Sequence, residues 1–204
     1  MDVLVVPPPK PAPHGTVEIV ALVASAGGLQ AISTLLAALP PDFPVPILVV
    51  QHLSPRQPSL MAHILSRRVA LPVTQAVEGD TLRPGHVYLA PPGHHLIVTP
   101  QRTLSLTLTE KVHHARPSGD VLLQSVAACF GAGAVAVILT GGDGDGADGL
   151  RAVKDAGGQT IAQDEASSES FSMPRTAIAT GGVDHVLPLD AIAPMLVSLV
   201  NAPR

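Results

Sequence analysis

Short apolar runs alternate along this chain with stretches whose apolar residues recur at helical spacing. The apolar runs predict strands at 17–23 (VEIVALV), 45–50 (VPILVV), 71–77 (LPVTQAV), 134–140 (AVAVILT) and 159–163 (QTIAQ), with a short one at HVLP near the end. The helical patterns fall between them, at 27–40, 58–68, 117–131, 147–158 and 173–182, and over LDAIAPMLVSLV. Only 85–110 departs from this rhythm: apolar and polar residues alternate there, as in antiparallel hairpins. Apolar strands alternating with helices predict an α/β fold, doubly wound, with a mostly parallel sheet, helices on both faces and a small antiparallel insertion. Residues 1–15 read as a Pro-rich arm and 16–204 as one domain, without internal repeats. The polar tract 163–172 (QDEASSESFS) reads as an exposed loop.

Composition narrows the function. Hydrophobic residues make up 46% of the 204, enough for a large core without disulfides, and with aromatics at 2% that core is built from Ala, Val, Leu and Ile. The net charge of −4 and the lack of a basic tract argue against nucleic-acid binding, which needs clustered Lys and Arg. The single cysteine, Cys129, lies in SVAACFGAG and reads as a small buried hydrophobe. The Pro-rich start has no signal-peptide pattern, and no apolar run approaches the ~18 residues of a membrane helix, so the expected location is the cytoplasm.

In open α/β sheets, ligands bind beyond the carboxyl ends of the strands. Ser25-Ala26-Gly27-Gly28 follows the first predicted strand, Gln51-His52 the second, and Gly141-Gly142-Asp143-Gly144-Asp145-Gly146 the strand at 134–140. These ends deliver a serine, a histidine and one or two aspartates to one edge, the set a Ser-His-Asp hydrolase needs. A serine hydroxyl is a poor nucleophile until a base takes its proton, histidine titrates near neutrality, and a carboxylate fixes its tautomer. Each piece also has a plainer reading: Ser25 as a helix N-cap, His52 as a loop residue, the Asp/Gly tract as a turn. The tract does not fit an EF-hand, with Ala147 at the fifth position and Lys154 at the twelfth, and the glycines fit neither G-x-G-x-x-G nor a P-loop. The pairs His94-His95 and His113-His114 would point to opposite faces of a strand, a poor chelate, so no metal and no cofactor is expected.

Seven collinear motifs carry a resemblance: ASAGG (24–28), QHLSP (51–55), EGDTLRPGHVYLAPPGHHL (78–96), RPSGDVLLQSVA (116–127), LTGGDGDGADGL (139–150), GGQTIAQDEASS (157–168) and SMPRTAI (172–178). Together they resemble the catalytic domain of the chemotaxis protein-glutamate methylesterase family, CheB, over about 17–200, and the stretch from Gln51 looks most like the branch fused to a CheR-like methyltransferase. The resemblance implies a seven-stranded, mostly parallel sheet. It implies hydrolysis of glutamate methyl esters on chemoreceptor cytoplasmic helices, and often deamidation of receptor glutamines. It assigns Ser25 as nucleophile and His52 as base, with Asp145 orienting the base, because the family tract reads T-G-x-G-x-D-G. Ala26, Gly27, Gly28, Gly142 and Met173 are expected as oxyanion or substrate-rim residues. Implied partners are methylated receptor helices and, since this length leaves no room for the family's usual N-terminal receiver domain, a receiver-domain protein or a methyltransferase acting in trans. The chain departs from the family pattern at Asp143, where many members have Gly: a second carboxylate there is expected either to raise the His52 pKa or to repel the acidic surroundings of receptor methylation sites. Alternatives are an esterase with a drifted protein substrate and a catalytically weak receptor-binding module.

Overall fold

The structure is a computed structural model that describes residues 16–52 and 59–202. The arm expected at 1–15 and most of the segment after His52 lie outside the described residues. Among the described residues, nine strands and six α-helices follow in chain order: β1 (Ile19–Ala24), α1 (Gly28–Ala37), β2 (Ile47–Gln51), α2 (Met61–Ser66), β3 (Val73–Gln75), β4 (Val87–Leu89), β5 (His95–Val98), β6 (Leu104–Thr107), α3 (Gly119–Phe130), β7 (Ala134–Ile138), α4 (Ala147–Asp155), β8 (Gln159–Gln163), α5 (Ser172–Ala179), β9 (His185–Leu187) and α6 (Leu189–Val200).

Seven strands form one parallel sheet in the order β3-β4-β2-β1-β7-β8-β9, and β5 and β6 form a separate antiparallel pair. The residues of β1, β2 and β7 are all buried, as expected of strands covered on both faces. Their side chains alternate between two cores. Val20, Leu22 and Ala24 meet Ile32 and Leu36 of α1, Leu65 of α2 and Leu196 of α6. Ile19, Ala21 and Val23 meet Leu122 and Val126 of α3, Leu150 of α4, Met173 of α5 and Leu96 of β5. Each apolar run thus supplies both layers, and the fold is the doubly wound α/β architecture the pattern predicts.

One stretch differs from its predicted form. Residues 87–89, expected within an antiparallel hairpin, form a parallel strand between β2 and β3. Only β5 and β6 make the hairpin, in the register His95 to Thr107. Val87, Tyr88 and Leu89 are all buried, so a covered central position overrides the apolar/polar alternation around them.

Sheet order fixes where a site can form. From β1 the chain moves out through β2 to β3 at the edge, steps back to place β4 between them, and later lays β7 against the other side of β1. The connections leaving β1 and β7 therefore diverge over the sheet edge, the crevice at which open α/β sheets bind ligands.

Candidate active site

Backbone hydrogen bonds weld the three strand-end loops together. The Ser25 amide donates to the Thr140 carbonyl at 3.0 Å, and the His52 amide to the Ala24 carbonyl at 3.1 Å. Gln51, buried at the end of β2, donates from Nε2 to the carbonyls of Ser25 (2.8 Å) and His52 (3.1 Å). Thr140 Oγ1 donates to the Ala26 carbonyl at 2.9 Å.

Ser25 is not the N-cap of α1. That position belongs to Gly27, in the left-handed conformation at φ 76°, and no side chain caps the helix. The plainer reading of Ser25 is thereby removed. Its side chain makes no hydrogen bond among the described residues, and it lines a cavity of about 320 Å³ together with His52 and Asp143.

His52 sits between two carboxylates. Nε2 meets Asp145 Oδ2 at 2.7 Å, and Nδ1 meets Asp143 Oδ2 at 3.0 Å. Ser25 is expected against this ring, yet both ring nitrogens face aspartates. Burial alone would lower the His52 pKa; the hydrogen bonds and charges of Asp143 and Asp145 outweigh it and push the value up to about 9.

The two carboxylates are held differently. The Asp145 side chain has no solvent exposure and lies at the N-terminus of α3. Ser118 Oγ donates to Asp145 Oδ1 at 2.6 Å, the Asp120 amide donates to the same oxygen at 3.2 Å, and the Gly119 amide donates to Oδ2. Burial raises the Asp145 pKa, but bonds from His52, Ser118 and these amides outweigh it, leaving the carboxyl below its ordinary value. Asp143 is half-buried, and its Oδ1 accepts from the Asp145 amide at 3.1 Å. Its pKa is also lowered: burial opposes ionisation, and the His52 contact overrides it.

Ser118 is in turn placed by a buried histidine. Its amide donates to His95 Nδ1 at 3.2 Å, while His95 Nε2 pairs with the Glu110 carbonyl at 3.0 Å, an arrangement that fixes one tautomer. A chain of contacts therefore runs from β5 through His95, Ser118 and Asp145 to His52. Sequence reasoning missed His95 and Ser118 as parts of the site. The S-x-x start of α3 was the available signal for Ser118, which caps that helix by accepting from the Val121 amide at 3.5 Å.

The expected rim residues fall into two groups. The amides of Ala26, Gly27 and Gly142 have no acceptor among the described residues. Gly28 and Met173 are buried. The Gly28 amide is committed to the Ser25 carbonyl, and Met173 packs beneath Gly141, where a Cβ would lie 1.9 Å from its sulfur. The opposite wall comes from a segment not expected at the site: Lys111, His113, His114, Ala115, Arg116 and Pro117. His113 and His114 are not strand neighbours but the two central residues of a tight turn, at φ 48° and 62°, closed by the Ala115 amide on the Val112 carbonyl at 2.8 Å. His113 Nε2 pairs with Asp120 Oδ2 at 3.2 Å, and with Asp148 these residues bring one ligand atom each within 4.8 Å. Within that group His113 already contacts Asp120, and His113 and Asp148 are exposed. Cys129 is half-buried on α3, its thiol directed at the carbonyls of Val98 and Thr99, and burial raises its pKa.

Residues 20–196 match the CheB methylesterase family. The chain is 42% identical over 199 residues to the protein-glutamate methylesterase FrzG of Myxococcus xanthus, an alignment covering 96% of this chain and 60% of that protein. It is 45% identical over 182 residues to protein-glutamate methylesterase/protein-glutamine glutaminase 2 of Anaeromyxobacter dehalogenans, covering 89% of this chain and 53% of that one. The chain thus spans somewhat over half the length of these two curated relatives. The crystal structure of the Thermotoga maritima CheB methylesterase catalytic domain is similar at a TM-score of 0.88 and 36% identity, over 91% of this chain and 100% of that one.

Proposed function

This chain belongs to the CheB methylesterase family, and we propose that it hydrolyses glutamate methyl esters on chemoreceptor cytoplasmic helices through Ser25, His52 and Asp145. The observation that carries this reading is the pairing of Ser25 and His52 in one cavity, with Asp145 fixed behind the ring. Asp145, locked to α3, anchors Nε2, so Nδ1 is the nitrogen left to take the serine proton.

The chemistry is acyl transfer. Ser25 Oγ attacks the ester carbonyl while its proton passes to His52 Nδ1. The oxyanion is received by the free amides of Ala26, Gly27 and Gly142. His52 returns the proton to the departing methoxide, which leaves as methanol, and the glutamyl group stays on Ser25. Water, deprotonated by His52, then cleaves that ester and restores the serine. A glutamine side chain reacts by the same route with ammonia as the leaving group, which accounts for deamidation alongside ester hydrolysis. The motif beginning at Gln51 supports placement near the methyltransferase-fused branch, and a receiver-domain or methyltransferase partner in trans fits this reading.

The test is methanol release from a methylated receptor fragment. Wild type releases methanol, and Ser25→Ala loses at least about 10³-fold in kcat. A wild-type protein that binds the fragment and releases none would overturn the assignment.

A further inference from the structure

We propose that Asp143 is a positioning residue that holds His52 Nδ1 away from Ser25 in the resting site, so that the nucleophile is armed only when this carboxylate lets go. The proposal rests on the reading of Ser25 and His52 as nucleophile and base.

An imidazole has two nitrogens, and here carboxylates take both. The Ser25 hydroxyl has no partner among the described residues although it shares the cavity with the ring. The two contacts differ in how readily they break. Asp145 is fully buried and receives three donors from Ser118, Gly119 and Asp120. Asp143 has 39% of its side chain exposed, lines the cavity, and is otherwise tied only through the Asp145 amide. Asp143 is therefore the group that can leave, and Nδ1 is the nitrogen its departure exposes.

The charge state follows. A ring that donates from both nitrogens is an imidazolium, which cannot accept a proton from serine. The two carboxylates favour that form, which is why its pKa stands at about 9. Among the described residues, the β7–α4 loop presents Asp143 and Asp145 to the ring. The turn across the cavity presents Lys111, His113, His114 and Arg116, and Glu169 lies beside Gly27. The cations oppose the clamp, but the contacts to the ring are the carboxylates' own. The linkage has a definite sign. The folded His52 pKa is raised, so the stabilisation it contributes is complete below its ordinary value of 6.5 and is lost as the pH rises through about 9.

Two measurements test this on the whole chain, with Asp143→Gly as the principal variant and Asp143→Asn as the second. The first is an NMR titration of the His52 ring, which needs no substrate. The midpoint is near 9 in wild type and falls by about two pH units in Asp143→Gly, with a smaller fall in Asp143→Asn. An ordinary wild-type midpoint, or one that neither variant moves, overturns the clamp. The second is the pH profile of kcat/KM with p-nitrophenyl acetate. Its acid limb shifts down with the NMR midpoint, and activity of Asp143→Gly at pH 7 rises by about tens-fold. A profile that stays put while the NMR midpoint moves overturns the gating. Normal p-nitrophenyl acetate profiles with no methanol from receptor fragments would instead count against the substrate reading alone.

Discussion

The two walls of the cavity are built by different means. One wall is the sheet edge. Ser25, His52 and Asp143 line it from the ends of buried parallel strands with Asp145 buried behind the ring, and their loops are tied to one another by backbone bonds and by Gln51. The other wall is the segment from Lys111 to Pro117, outside the sheet and turned by two histidines with positive φ. Tight turns with positive φ at both central positions favour Asn-Gly, and this one is built from two histidines instead. The first wall obeys the rules that make the fold. The second departs from them, and it presents cationic or protonatable groups towards a substrate. On the proposed function, chemistry belongs to the sheet-edge wall and recognition to the irregular one.

The assignment can be broken most forcefully at the rigid wall. Asp145→Asn should reduce kcat on methylated receptor fragment by about 10⁴-fold, because an amide cannot enforce the anchored tautomer. A loss of only a few-fold would mean that Asp145 does not orient the base. Ser118→Ala sharpens the same side. It removes a charge-assisted hydrogen bond to Asp145 and the cap of α3, and should lower stability by about 1–3 kcal/mol in urea unfolding. Unchanged stability would mean that the His95–Ser118–Asp145 chain contributes nothing. The smallest expected effect lies on the other wall. Lys111→Gln should raise KM for an acidic methylated fragment by about two- to fivefold at low salt, leave kcat alone, and lose its effect at high salt. A fall in kcat with KM constant would move Lys111 into the chemistry and erase the contrast.

The same contrast governs what the sequence discloses. Apolar runs ending in Ser25, Gln51-His52 and the Asp/Gly tract are visible because a parallel sheet gives them a common edge. The motif resemblance then singles out Asp145, and in the structure its carboxylate rests on the N-terminus of α3. Which ring nitrogen faces which aspartate is invisible in sequence, since it depends on side-chain placement across 91 and 93 residues. The contributions of Ser118 and His95 are likewise long-range. They arise from packing β5 against α3: the S-x-x start of α3 marks Ser118 as a cap, but neither its contact with Asp145 nor that with His95 is encoded locally. The His113-His114 turn is hidden because it lacks the glycine that marks such turns.

Gln51 and Gly28 carry a consequence for how this site can change over time. A Cβ on Gly28 would lie 2.0 Å from Gln51 Oε1, so any side chain there must displace the amide that joins the carbonyls of Ser25 and His52. The two positions are therefore epistatic. A larger residue at 28 is admissible only once 51 has already become smaller, and a smaller residue at 51 loosens the loops that Gly28 leaves room to brace. The Ala24 Cβ, 2.7 Å from the same new atom, restricts position 28 as well, so lineages of this fold must alter these positions jointly or keep them. Alignments will then show Gly28 and Gln51 as invariant as the reacting groups themselves, although neither lines the cavity.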